Sequence, residues 1–239
     1  MSRRDSIARF RQSIAQHFAG SQLALDNAKT LLDVAEDSDR HSTATASFIA
    51  SLAAEELGKA ILLLKRQADL IYNAEFRVHS KLFSDALDWT DGSIQPQSVL
   101  PWSGFVGRAG THGGGLRDHR AKLQAVRDYY QTFHPQAKPV SDDTLELVFV
   151  DMFAGFKVEQ VRAAVERSVY LSWDDASHDW RLPVACIPNL TDFVTAMRNV
   201  ADGLTSSIDK GRTHSEGRVQ YIVGACRQAA LKPADVFLV

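Results

Sequence analysis

Residues 44–70 run without a proline or a turn cluster, and their apolar side chains are spread round most of a helical wheel. Such a segment is satisfied only as a long helix with protein on several sides. Phe48, Ile49, Leu52, Leu57, Ile61 and Leu64 fall on different faces, which predicts a central, largely buried helix. Ser42 or Thr43 can cap its start. The stretch 44–64 also holds Glu55, Glu56 and Lys59, and each charge would cost roughly 2.5–3.5 kcal/mol near a bilayer centre. The segment therefore predicts protein core and no membrane span.

The charges inside this helix raise a specific question. Glu55 shares a stripe with Phe48, Leu52, Lys59 and Leu62, and Glu56 shares one with Ile49, Ala53, Ala60 and Leu63. With apolar neighbours on both stripes, at least one carboxylate turns inward, where it needs a cation, a histidine or backbone donors. Lys59 is one turn beyond Glu55 and suited to pair with it. Gly58 gives up about 1 kcal/mol of helix propensity relative to alanine, which makes sense if another backbone or a ligand comes close there. Two readings follow: a structural pair that holds helix register, or a site that handles a substrate.

The rest of the chain is also mostly helical in pattern. Ile7, Phe10, Ile14 and Phe18 mark an amphipathic helix, Gly20 is expected to interrupt it, and Leu25, Ala28, Leu31, Leu32 and Ala35 mark a second stripe. A further helix is expected over residues 75–89. From 89 to 116 the glycines and prolines predict a long loop or insertion. Its segment 107–115 looks superficially like a phosphate loop but lacks the Gly-Lys-Ser/Thr ending. Helix returns over 117–133, before Pro135, and again through Val158, Val161, Ala164 and Val165. Val169, Leu171 and Trp173 alternate, as do Trp180, Leu182 and Val184 after a turn-like cluster, which predicts a β-hairpin around residues 168–185. Two last helices are expected, on Phe193, Met197, Val200 and Leu204 and on Val219, Ile222, Cys226 and Ala229. The fold class expected is mainly α, a helical bundle with one small hairpin, in a single domain over residues 1–239.

A net charge of -2 gives no overall basic balance, so nothing in the total demands nucleic acid or an anionic surface, although a local basic patch remains open. Cys186 and Cys226 stand far apart without a CxxC pattern, which points away from disulfides and structural zinc and towards the cytoplasm. The eight histidines are scattered and Glu55-Glu56 are adjacent, not ligand-spaced, so neither a metal nor a cofactor is expected.

Asn27-Ala28-Lys29 with Leu31-Leu32, followed by residues 53–60, Ala-Ala-Glu-Glu-Leu-Gly-Lys-Ala, resembles the AbiV family of abortive-infection proteins, whose hallmark is an Ala-x-Glu-Glu-x-Gly-Lys helix. A second family element, a basic histidine-lysine signature, is similar to Arg117-Asp118-His119-Arg120-Ala121-Lys122; a poorer copy is Arg77-Val78-His79-Ser80-Lys81. A third, an arginine-led stretch ending in Trp and Pro, is similar to Arg167-Ser168-Val169-Tyr170-Leu171-Ser172-Trp173 with Trp180 and Pro183. Nothing after Asn189 is covered.

This resemblance implies a helical bundle of the HEPN-like type and a phage-defence effector that halts host translation or growth. It implies a homodimer, with a phage protein as trigger and RNA as a partner. Many HEPN-like domains are metal-independent ribonucleases. On that analogy His119 would be the acid or base, Arg117 and Lys122 would hold phosphate, and Glu55 or Glu56 would orient the histidine, with Lys59 completing the catalytic set. An alternative site uses His79 with Lys81, or Arg127 with His134. Arg11 to His17 also fits the loose arginine-histidine spacing. Two rival readings are a non-catalytic helical protein that captures a phage or host protein, and a structural or regulatory subunit. Fully paired carboxylates beside an exposed apolar patch would favour the binder over the enzyme.

Overall fold

The computed structural model describes residues 3–87, 119–133, 172–174, 179–181, 187 and 189–237. The described chain is mainly helical: α1 (Arg3–Asp39), α2 (Thr43–Leu87), α3 (His119–Phe133), α4 (Leu190–Gln228) and the short α5 (Pro233–Val236). Strands β1 (Ser172–Asp174) and β2 (Asp179–Arg181) pair antiparallel with Trp173 opposite Trp180. The rest of the hairpin expected at 168–185 lies outside the described residues. So do the Gly/Pro-rich segment 89–116 and the helix expected through Val158 and Val165.

Three boundaries differ from expectation. Gly20 does not break α1, because Phe18, Ser21, Ala24 and Leu25 beside it are buried and their packing outweighs one glycine. The helix expected from Glu75 is the continuation of α2, whose apolar stripe carries on through Ile71, Ala74 and Val78. The two last helices are one. No proline lies between Leu204 and Val219, and Ile208 and Ser215 keep the buried stripe alive through a polar run. The capping of α2 falls as expected: the Thr45 N–H donates to Ser42 Oγ at 3.3 Å. Asn189 caps α4, accepting from the Asp192 N–H at 3.4 Å.

The chain divides into two compact units. The first comprises Met1–Ala19, Leu63–Gly114 and Ile208–Val239. Its core includes Phe10, Phe18, Val78, Ile222 and Phe237, all buried, with the rings of Phe10 and Phe237 4.9 Å apart. Gln67 Nε2 donates to Ser215 Oγ inside it at 2.9 Å.

The second unit comprises Gly20–Leu62 and Gly115–Ser207. Its core holds Leu25, Leu32, Leu57, Val126, Met197 and Leu204. From Ala46 to Lys65 no residue of α2 is exposed. Three other segments of the unit meet it: Ser21 Oγ donates to the Ala60 carbonyl at 2.9 Å, the Ile187 N–H donates to Ser47 Oγ at 2.7 Å, and α3 crosses it at Gly58. The expectation of a largely buried helix around Glu55 to Lys59 agrees with this environment.

Candidate functional site

The second unit brings together two of the segments singled out in the sequence. At Gly58 a β-carbon would lie 2.2 Å from the Lys122 carbonyl oxygen, 2.5 Å from its carbonyl carbon and 2.7 Å from its Cα. All three are backbone atoms, so no rotamer change could make room. Glycine is therefore required for α2 and α3 to approach this closely, as the propensity argument anticipated.

The close approach positions a charge. Lys122 Nζ donates to Glu55 Oε2 at 2.5 Å, and the lysine side chain is only 4% exposed against 18% for the glutamate. Leu123, the next residue, and Val126, one turn on, are also buried on α3. Burying a lysine this deeply is costly without a hydrogen-bonded partner, and Glu55 supplies one. The partner expected from spacing is corrected here: Lys59 is bonded to Glu56, three residues before it, and not to Glu55. The i,i+4 option for Glu55 loses because Lys122 approaches from α3 with far less water around it.

The remaining sequence candidates fall elsewhere. His119 opens α3, one turn before Lys122, but its side chain is not among those described. Arg117 and His134 lie outside the described residues, and so does most of the third motif element, 167–171. Arg127 is half-buried on α3 and the neighbouring Asp128 is exposed. His79 and Lys81 are exposed residues of α2 in the first unit.

Other polar groups of the second unit went unnoticed in the sequence. Tyr129 Oη lies 3.0 Å from Ser207 Oγ, and burial pushes the phenol's pKa above the ordinary tyrosine value. Burial does the same to Tyr130. Arg198 of α4 binds Glu36 at 2.8 and 2.9 Å and Asp33 at 2.8 Å, both from α1. The guanidinium hydrogen bond holds Glu36 below the usual glutamate range. Long-range ion pairs of this kind have no local signature, since their members are 162 and 165 residues apart.

In the first unit a carboxylate is buried more deeply. Glu75 is 9% exposed at its side chain, receives Arg218 Nη2 on Oε2 at 2.6 Å, and has its other oxygen buried without a hydrogen-bond partner. Among the described residues no group of three His, Cys, Asp or Glu is placed to hold a metal ion, and no helix is long and apolar enough to cross a membrane. No family model, curated protein or solved structure matches this chain.

Proposed function

We propose that this protein is a phage-defence effector of the abortive-infection type, a HEPN-like helical bundle with the small hairpin at 168–185, which slows host translation or growth when a phage protein triggers it. The observation that carries the reading is the contact at Gly58. The Glu-Glu-x-Gly-Lys helix and the His-x-x-Lys helix were singled out separately, 67 residues apart at Glu55 and Lys122, and they meet through a hydrogen-bonded charge pair. Two motifs that share one contact form one functional or structural unit.

The pairing favours action by binding. Glu55 is held by Lys122 and Glu56 by Lys59, and Lys122 is too buried to meet a phosphate. In this reading the Glu55–Lys122 pair fixes α3 on α2, and a homodimer presents the surface that engages a phage or host protein. A second reading, RNA cleavage, is supported by the sequence register of α3, on which His119 comes one turn before Lys122.

Expression of the full chain in a bacterial host challenged with phage tests both. The proposal expects labelled amino-acid incorporation to fall in infected cells while the culture survives. Intact RNA ends would then support binding. New RNA ends that vanish in His119→Ala, with an unchanged thermal melt, would support cleavage. A folded wild-type protein that changes neither survival nor incorporation would retire the defence reading.

A further inference from the structure

The exposed face of the first unit has a composition of its own. Along α2, Lys65, Asp69, Tyr72, Phe76 and His79 follow one another in alternating steps of four and three, which places them on one stripe. Phe76 is 55% exposed and its ring stacks on Tyr72 with centroids 6.5 Å apart and planes inclined by 22°. His79, also exposed, lies against Tyr221 of α4, with ring centroids 5.9 Å apart. Tyr221 is itself 51% exposed. Among the described residues, two of the few large apolar side chains left in water thus sit on the stripe and beside it.

The helix carrying Tyr221 is unusual in a second way. Gly217 and Gly224 flank the tyrosine four residues before and three after, both are exposed, and a β-carbon at either would meet nothing within 4 Å. Among the described residues nothing packs where either glycine's β-carbon would be, and each weakens α4 by about 1 kcal/mol relative to alanine. The positions one turn before and one turn after Tyr221 on α4 therefore carry no side chain.

The first unit as a whole carries an excess of positive charge. Among the described side chains of the first unit, eleven lysines and arginines stand against six aspartates and glutamates, although the whole chain is net acidic. Arg218, three residues before Tyr221 on α4, is held by Glu75 and its side chain remains 44% exposed. Asp69 is the one acid on the stripe, and burial raises its pKa above the ordinary aspartate value.

We propose that the Tyr72, Phe76, His79 and Tyr221 face, with Arg218 at its edge, binds single-stranded nucleic acid, with bases stacked on the rings and phosphates met by the arginine. Stacking tolerates any base because every base has a π face, and the basic unit supplies the sequence-independent attraction. A second copy of this chain is the competing occupant, and charge argues against it, because two copies of a unit with an excess of positive charge repel. The inference is independent of the defence reading and fails or stands by a different experiment.

That experiment is fluorescence anisotropy with the full chain at one fixed salt concentration, using labelled oligouridylate and oligothymidylate twelve nucleotides long and a duplex of the same length. Single strands should bind more tightly than the duplex. Phe76→Ala and Tyr221→Ala should each weaken single-strand binding by about 5- to 150-fold, the range of one lost base stack. Absence of single-strand binding would overturn the proposal, as would duplex binding of equal strength that neither ring variant changes. It would also be overturned by a dimer that Phe76→Ala converts to monomer without any oligonucleotide bound.

Discussion

Replacing Gly58 with alanine isolates the contact on which the second unit depends. The added methyl carbon would sit 2.2 Å from the Lys122 carbonyl oxygen, more than 1 Å inside ordinary contact, and its other near neighbours at 2.5 and 2.7 Å are also backbone. Helix α3 must therefore shift as a body or α2 must bend. Overpacking of this kind costs about 1–3 kcal/mol, and the rigid neighbour puts the case at the upper end. Alanine returns about 1 kcal/mol of helix propensity, so the net loss is about 2 kcal/mol. For a chain of this length that is a fall of about 4–8 °C in melting temperature. Gly224→Ala is the control: with open space at its β-carbon it should gain up to about 1 kcal/mol and melt higher. Parallel urea and thermal melts, with amide exchange across residues 119–133, read both. If Gly58→Ala melts as high as Gly224→Ala and α3 stays equally protected, the argument from close approach is wrong.

Two further outcomes follow from the ion pairs. Arg218→Ala leaves Glu75 buried with neither oxygen partnered and should lower the urea midpoint by about 1–3 kcal/mol of stability, whereas Arg11→Ala, which breaks the exposed pair with Glu216, should change it by less than about 0.5 kcal/mol; equal effects would show that burial does not set the cost. Glu36, depressed below the ordinary glutamate range by Arg198, contributes stability that is present near neutral pH and lost as pH falls through its lowered pKa. Because its side chain is 52% exposed, screening keeps that contribution below about 1 kcal/mol. The stability gap between wild type and Arg198→Ala should be largest at pH 7 and shrink well below pH 4, and a gap that does not change with pH would refute the linkage.

The sequence was most legible where local rules act alone. The 44–70 segment declares a buried helix by its wheel, Ser42 caps it, and Gly58 announces a close neighbour by being a poor helix former in a good helix. Helix ends were less legible where packing decides them: Gly20 reads as a break and is carried through by the buried residues around it, and the polar run after Leu204 hides the continuity of α4. Partner choice was not legible. Spacing pairs Glu55 with Lys59, yet Lys122, supplied from another helix, takes it and leaves Lys59 to Glu56. The exposed aromatic face escaped notice for a related reason. Tyr72, Phe76 and Tyr221 have the periodicity of core residues, and which stripe of a long helix stays in water is settled only by what the other helices cover.

The claim that the two motif helices are joined by Glu55 and Lys122 is tested most directly by a double-mutant cycle on that pair. Glu55→Gln, Lys122→Met and the double variant are unfolded in urea at pH 7, and the coupling is taken from the four stabilities. A buried, hydrogen-bonded charge pair at 2.5 Å predicts that each single variant strands its partner and that the two losses overlap, with a coupling of about 1–3 kcal/mol. Losses that add to within about 0.5 kcal/mol would mean that the two side chains do not interact, and the contact at Gly58 would then be packing without the charge pair that ties the two motifs together.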